Sequence, residues 1–194
     1  MSTRERILEA ARDLFNAEGV GGQSAVDIAS AQGISAGHLY YHFKGKPQIL
    51  AELMEAHAEE MALIVQAMDE AWVEGSDIET LWTHVHILVE EAWDARFFWR
   101  EPALALDNEA VASAARGIST GLRAGLDRAL GALDKTGALR LTPAMRDGLA
   151  GQMTTGVLFH ALALELAGDP GPPRERIARA AAQVMLPAAA FAGP

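Results

Sequence analysis

The sequence predicts an all-α protein, and three observations support this fold class. Alanine, the residue with the highest helix propensity, occupies 38 of the 194 positions. Apolar residues recur at helical steps of three and four, whereas no alternating strand pattern with a hairpin turn is found. Half of the residues are apolar and 22% are charged, which is typical of a chain that buries a sizeable core.

Composition also excludes several classes of protein. The absence of cysteine rules out disulfides, thiolate metal sites and cysteine nucleophiles. No apolar signal core follows the N-terminus, and no segment approaches the roughly 20 apolar residues that span a bilayer. We therefore expect a soluble cytoplasmic protein that has no membrane partner.

The net charge of −10 is distributed unevenly along the chain. Residues 1–50 hold five basic and five acidic residues, whereas residues 51–95 hold twelve acids and neither lysine nor arginine. Because the acidic stretch would repel a polyanion, any contact with DNA is expected within the first fifty residues. The acids of that stretch are interpreted as solvated helix faces.

Serine caps and glycine stops predict three helices at the start of the chain, over residues 2–19, 24–33 and 35–45. Pro47 suits the first turn of a fourth, long helix that reaches Gly75. Five further helices are expected, with a break near residues 100–102. They are a fifth helix capped by Asp77 and running through Trp93, a short sixth, a seventh over 109–135, an eighth over 142–168 and a ninth over 174–187.

The segment 24–46 carries the clearest functional signal. Two short helices are joined there by Gln32-Gly33-Ile34-Ser35, which places a glycine at the tight turn and a serine cap on the second helix. This arrangement predicts a helix-turn-helix. Such a unit binds DNA because the first side chains of its second helix reach base edges in the major groove, while helix N-termini direct N–H groups at phosphates.

Residues 33–46 read Gly-Ile-Ser-Ala-Gly-His-Leu-Tyr-Tyr-His-Phe-Lys-Gly-Lys, and this run resembles the DNA-binding signature of the tetracycline-repressor (TetR) family. Residues 6–19 are similar to the first helix of that family, and residues 27–29 fit its second. The resemblance covers about residues 5–50, and the spacing of all three helices agrees with it.

The resemblance implies how the chain is organised and how it works. Residues 1–46 would form a helix-turn-helix DNA-binding domain, and residues 47–194 a helical domain that binds an effector and dimerises. The protein would then be a ligand-responsive transcriptional regulator. It would act as a repressor that binds a pseudo-palindromic operator in double-stranded DNA as a dimer and is released by a small apolar effector.

The resemblance also assigns roles to individual residues. The expected DNA-binding residues are Ser24, Ala25 and Lys46 at phosphates, Ser35 at the helix cap, Ala36, Gly37 and His38 at bases, and Tyr40, Tyr41 and His42 at the backbone or thymine methyl groups. Two positions depart from the family pattern, because Ala25 replaces a frequent threonine and Gly45 a frequent asparagine. The alternatives stay open that Tyr40 and Tyr41 are structural and that His38 is a solvated polar residue.

Large apolar side chains are concentrated in the middle helices, where three of the four tryptophans lie within residues 82–99. They predict a largely apolar pocket with few polar anchors, which accepts a small hydrophobic or aromatic molecule. The expected ligand-binding residues are Met61, Trp82, His86, Val89, Trp93, Phe97 and Met153. The alternative is that these side chains only fill the core.

We expect a homodimer that is assembled mainly through the eighth and ninth helices. Apolar residues recur on one side of each helix at helical spacing, and three glycines of the eighth would allow a close approach. The residues are Leu149, Met153, Gly156, His160 and Leu164 on the eighth, Ile177, Ala181, Val184 and Met185 on the ninth, and the glycines 148, 151 and 156. The alternative is that these faces complete the core of the monomer.

None of the common enzyme motifs is found: the sequence lacks a glycine-rich phosphate loop, a nucleophile motif and HExxH. His86 and Glu90 share a helix face, but one such pair does not predict a metal site. No enzyme activity, cofactor or metal is therefore expected. Two alternatives remain, a helix-turn-helix regulator that is controlled by a protein partner and, more remotely, an all-helical enzyme.

Overall fold

The computed structural model describes residues 1–72, 77–103, 107–169 and 171–193, and these residues form an all-α fold. The predicted fold class is therefore confirmed. The α-helices that lie entirely within the described residues are α1 Thr3–Glu18, α2 Ala25–Gln32, α3 Ala36–His42, α4 Lys46–Ala71, α5 Ile78–Asp94, α6 Arg96–Arg100, α7 Glu109–Thr136, α8 Pro143–Leu166 and α9 Pro173–Met185. A 3-10 segment, Leu186–Phe191, follows them. Within the described part of the chain, no helix is both long and apolar enough to cross a membrane.

The helices begin where the sequence caps predict. Ser2 and Ser24 form capping boxes at α1 and α2, and Thr142 accepts a hydrogen bond at the start of α8. The fourth helix ends at Ala71, whereas Gly75, at which it was expected to end, lies outside the described residues.

The chain divides into two compact units that do not follow one another along the sequence. The first unit consists of Met1–Ala58 and Asp94–Arg116, and the second of Glu59–Trp93 and Gly117–Pro194. Helices α4 and α7 therefore contribute residues to each unit. The boundary predicted after residue 46 concerns function, which this division into compact units does not test, and it stays a prediction.

The core of the first unit is formed by the apolar faces of α1, α2, α3 and α6. Ile7, Ile28 and Leu39 are fully buried in it. The rings of Phe15 on α1 and Phe97 on α6 pack with their centres 5.8 Å apart. Phe97, which was expected to line an effector pocket, is therefore a core residue of the first unit.

A buried asparagine connects α1 with the chain segment at the start of α6. The Asn16 Nδ2 donates to the carbonyl oxygen of Asp94 at 2.8 Å, and its Oδ1 accepts from the backbone N–H of Phe97 at 2.9 Å. The Arg100 guanidinium donates to the carbonyl oxygen of Asn16 at 3.0 Å. These bonds matter because an unpaired buried polar group costs about 1–3 kcal/mol.

Glu101 holds the loop between α1 and α2. Its carboxylate accepts from the backbone N–H groups of Val20, at 2.9 Å, and Gly21, at 3.2 Å. The Lys46 Nζ donates to the carbonyl oxygen of Val20 at 2.9 Å. The loop that leads into α2 is thus fixed on both sides by side chains from distant parts of the first unit.

In the second unit, the inner faces of α5, α7, α8 and α9 are buried by the chain itself. Eight of the eleven residues expected at a dimer interface have side chains that complete this monomer core. They are Leu149, Met153, His160, Leu164, Ile177, Ala181, Val184 and Met185. Contacts with a second copy on α8 and α9 would therefore have to come from other, more exposed residues of these two helices.

Two glycines of α7 provide a test of packing in the second unit. A Cβ atom at Gly125 would lie 2.7 Å from Val65 Cγ1 and 3.0 Å from Met68 Cε, whereas one at Gly121 would meet no atom within 4 Å. Alanine is favoured over glycine in a helix by up to about 1 kcal/mol. We expect Gly121→Ala to stabilise the protein by roughly 0.5–1 kcal/mol and Gly125→Ala to destabilise it by roughly 1–2 kcal/mol, because a valine side chain cannot easily move aside.

The free energy of unfolding in urea measures both changes. Equal stabilisation by the two alanines would contradict the close approach of α4 and α7 at Gly125.

Candidate nucleic-acid interface

The N-terminus of α2 is held by reciprocal hydrogen bonds between Ser24 and Asp27. The Ser24 hydroxyl accepts from the backbone N–H of Asp27 at 3.3 Å, while the Asp27 carboxylate accepts from the Ser24 N–H at 2.8 Å and from its hydroxyl at 2.6 Å. The hydroxyl bond is the largest of the effects that hold the pKa of Asp27 below its usual value. Asp27 therefore carries its charge at the helix N-terminus, where the helix dipole favours an anion.

A left-handed glycine makes the turn between α2 and α3. Gly33 has φ 72° and ψ 29°, and its N–H caps the carbonyl groups at the end of α2. The backbone N–H of Ile34 donates to the carbonyl oxygen of Ala29 at 2.9 Å. Because only glycine adopts this conformation without strain, Gly33 ends α2 and directs the chain into Ser35 after two residues.

Helix α3 has a buried and an exposed side. Ser35 caps it by accepting from the backbone N–H of His38 at 3.2 Å, and Leu39 and Phe43 anchor its inner side in the core. Tyr41 is 85% exposed and Tyr40 is 52% exposed on the outer side. The helix thus presents a tyrosine-rich surface that its own unit does not cover.

Imidazole rings complete this outer surface. The ring centres of His38 and His42 lie 5.5 Å apart, and the rings of Tyr41 and His42 meet edge to face at 5.1 Å. The three side chains together offer imidazole and hydroxyl groups that can donate hydrogen bonds to phosphate oxygens or base edges.

The family model described as bacterial regulatory proteins, tetR family, matches residues 7–53, which contain most of α1 and all of α2 and α3. The chain is 42% identical over 53 residues to the HTH-type transcriptional regulator AcrR of Shigella flexneri. The chain belongs to the TetR family. The match to AcrR covers 27% of this chain and 25% of AcrR, so the chain is aligned with only a quarter of that relative.

The remainder of the chain resembles TetR-family proteins in fold. A TetR-family transcriptional regulator from Marinobacter aquaeolei VT8 superposes with a TM-score of 0.87 and 22% identity, over 100% of this chain and 93% of that one. SmeT, the repressor of the Stenotrophomonas maltophilia multidrug efflux pump SmeDEF, gives a TM-score of 0.65 and 20% identity over 99% of this chain and 91% of SmeT. A SmeT–triclosan complex gives a TM-score of 0.63 over 99% of this chain.

In this TetR-family chain the ten expected DNA-binding residues all fall in the first unit, but not all are equally accessible. Ser24, Ser35, Gly37, His38, Tyr40 and Tyr41 are exposed, and Ala36, His42 and Lys46 are half-buried. Ala25 is only 8% exposed, so its side chain is not available to a phosphate. Which of these residues touch DNA stays a prediction.

The expected ligand-binding residues do not form one set in the structure. Met61, Val89, Trp93 and Met153 are buried in the second unit, where the half-buried His86 stacks on the 43% exposed Trp82 with ring centres 5.2 Å apart. Phe97 instead belongs to the first unit. Within the described residues, no group of three or more histidines and carboxylates is placed to hold a metal ion.

Sequence reasoning missed the residues that support the interface. Glu101 fixes the α1–α2 loop, and Asn16 connects α1 with the start of α6. Arg4 lies with its guanidinium 4.6 Å from the ring centre of Phe43, at the end of α3. Only Asn16 left a signal in the sequence, because it is a polar residue directly beside Phe15 on the inner side of an amphipathic helix. The distant partners of these residues leave no local pattern.

Replacing Ser24 by alanine tests the cap of α2. Loss of a serine N-cap costs about 1 kcal/mol, so we expect Ser24→Ala to lower the free energy of unfolding by that amount at pH 7. Ser30→Ala, an exposed change within the same helix, is the control and should leave stability unchanged or slightly raised. The measurement is urea unfolding in the absence of DNA.

The effect of Ser24→Ala on the free energy of unfolding should also depend on pH. Asp27 has a lower pKa in the folded than in the unfolded state, so its stabilising effect is present above about pH 4 and is lost as the pH falls through the folded pKa. The difference between wild type and Ser24→Ala should therefore shrink towards acid pH. A difference that stays constant would show that the carboxylate does not take part in the cap.

Proposed function

We propose that this TetR-family chain is a transcriptional repressor, located in the cytoplasm, that binds a pseudo-palindromic operator as a homodimer and is released by a small apolar or aromatic effector. The observation that carries the proposal is the two-sided character of α3. Leu39 fixes its inner side in the core, whereas Tyr41 and Tyr40 stand exposed on the outer side. A rigid helix with an exposed polar and aromatic face suits insertion into a major groove.

Individual contacts follow from the accessibility of the side chains. His38 lies in the first turn of α3, where recognition helices meet base edges. Tyr41 and Lys46 are suited to phosphate, which positions the protein but does not specify sequence. The Lys46 ammonium donates one hydrogen bond to the Val20 carbonyl oxygen, and its other two N–H groups can donate to a phosphate oxygen.

A second copy of the chain fits α8 and α9. A groove of about 250 Å³ runs along these helices and is bordered by exposed side chains such as Gln152, Thr155 and Gln183. A two-fold axis would apply each contact twice, so a modest patch could stabilise a dimer. Two recognition helices held at a fixed separation would then read two half-sites about one helical turn, or a small multiple, apart.

The effector is proposed to act by a population shift. A molecule that binds preferentially to the conformer with wrongly spaced recognition helices releases the operator, and a tenfold preference supplies about 1.4 kcal/mol of bias. The similarity in fold to a SmeT–triclosan complex supports a small aromatic effector for this chain. Control by a protein partner is the competing mechanism. It would be favoured if small aromatic molecules neither bind nor release DNA.

Substitutions on α3 test the DNA contacts. We expect Tyr41→Ala to weaken binding to operator and unrelated DNA alike, by about tenfold or roughly 1.4 kcal/mol, because a phosphate contact is lost. His38→Ala should instead reduce discrimination at one base pair by roughly 1–3 kcal/mol. Leu63→Ala, an exposed uncharged change in the second unit, is the control.

Fluorescence anisotropy with the DNA upstream of the gene and a scrambled duplex measures both effects. If His38→Ala left affinity and base preference unchanged, the assignment of His38 to a base edge would be wrong.

Matched threonines test the proposed dimer. Thr155 on α8 and Thr83 on α5 are both exposed and both donate to the carbonyl oxygen four residues earlier. Thr155→Arg would place two like charges in a two-fold interface, so light scattering at micromolar concentration should detect monomers. Thr83→Arg should remain dimeric. A wild-type monomer, or a dimer that tolerates Thr155→Arg, would contradict this interface.

A further inference from the structure

Buried polar atoms without hydrogen-bond partners are concentrated in the second unit. Among the described residues these atoms are Trp72 Nε1, His86 Nδ1, His160 Nε2 and Arg176 Nε. Two of them, on His160 and Arg176, belong to side chains that pack against the same residue, Trp93. This pairing of unsatisfied atoms around one indole distinguishes the site from isolated packing defects, since native proteins leave few buried polar groups unpaired.

The geometry at Trp93 is well defined. The His160 ring stacks on the indole with ring centres 5.9 Å apart and 26° between the planes. The Arg176 Cζ lies 4.8 Å from the centre of the same indole. His160 is 5% exposed, while Arg176 is half-buried and can be approached from solvent.

The hydrogen-bonding character of His160 follows from its other ring nitrogen. Nδ1 lies 2.6 Å from the carbonyl oxygen of Val157, and because a carbonyl can only accept, Nδ1 carries the hydrogen. Burial lowers the pKa of His160, and the positive charge of Arg176 lowers it further, against the Val157 bond that raises it. The imidazole is therefore neutral near pH 7, and its buried Nε2 is an acceptor.

Arg176 is the complementary group. Among the residues that the structure describes, four other arginines of the second unit form ion pairs with carboxylates, among them Arg128 with Asp69 and Arg179 with Asp169. Within the described part of the chain Arg176 has no ion pair, and its buried Nε–H donor has no acceptor. One indole thus carries an unpaired acceptor and an unpaired, positively charged donor.

We propose that Trp93, His160 and Arg176 form the effector site and that its ligand is a neutral aromatic molecule with a phenolic hydroxyl. The hydroxyl donates its hydrogen to His160 Nε2, its oxygen accepts from Arg176 Nε, and the aromatic body lies in the apolar surroundings of Trp93. A cation would be repelled by Arg176. A carboxylate would direct lone pairs at His160 Nε2, and could bind only if the imidazole took up a proton. This proposal rests on the proposed effector response and names its chemical class.

Three naphthalene probes, used with the full-length protein at pH 7, separate the contribution of the hydroxyl group to binding from those of the aromatic rings and of a negative charge. They are 2-naphthol, naphthalene without a polar group, and 2-naphthoate with a carboxylate. We expect 2-naphthol to bind at least tenfold more tightly than either of the others in fluorescence titrations. Weak binding of all three probes, or equal affinity for 2-naphthol and naphthalene, overturns the proposal.

Two variants test which side chains bind the hydroxyl group of 2-naphthol. His160→Phe keeps an aromatic ring against Trp93 but removes the acceptor, and Arg176→Met keeps an apolar stem but removes the donor. Each should lower the affinity for 2-naphthol about tenfold and leave the affinity for naphthalene unchanged. Arg174→Met, an exposed change on the same helix, should alter neither. Equal loss for both probes indicates a merely structural role, and Arg176→Met decides the outcome if His160→Phe does not fold.

DNA release is measured separately, which keeps the two proposals distinguishable. Binding of 2-naphthol that depends on both variants, without release of operator DNA, supports the site and contradicts the proposed effector response. Release that is unaffected by either variant contradicts the site and leaves the effector response in place.

Discussion

The amide of Asn16 and the carboxylate of Glu101 join two stretches of chain that are far apart in sequence, and the first unit depends on these bonds. Asn16 reaches a carbonyl 78 residues away, and Glu101 accepts two N–H groups of the loop that precedes α2. The backbone N–H of Phe97, which donates to Asn16, lies in a buried setting where no water can replace that partner. The start of the helix-turn-helix is therefore positioned by a segment that lies outside the recognisable DNA-binding motif.

Locally determined features could be predicted from the sequence. Ser24, Ser35 and Thr142 are caps in the structure as expected, because a serine or threonine cap bonds to a backbone group within three residues of itself. The left-handed turn at Gly33 could also be predicted, because glycine is the residue type that adopts this conformation most readily. The residues of α3 could be assigned to its outer side because the motif fixes their spacing from Leu39.

Features that depend on distant partners could not be predicted. Periodicity shows which side of a helix is buried, but not which helix covers it, so the packing of Phe97 on Phe15 could not be predicted. For the same reason, apolar residues of α8 and α9 were assigned to a dimer interface although their own chain buries them. The pairing of His160 with Arg176 could be recognised only in the structure, where both side chains pack against Trp93. In the first unit, likewise, the backbone partners of Asn16 lie 78 and 81 residues away along the chain.

The bond between Lys46 and the Val20 carbonyl has a consequence for the entropy of DNA binding. A free lysine side chain loses roughly 1.5–2 kcal/mol of rotamer freedom when it is immobilised. In this protein much of that loss is incurred during folding, before any phosphate is encountered. A surface whose side chains are already ordered would form contacts with little further loss of freedom.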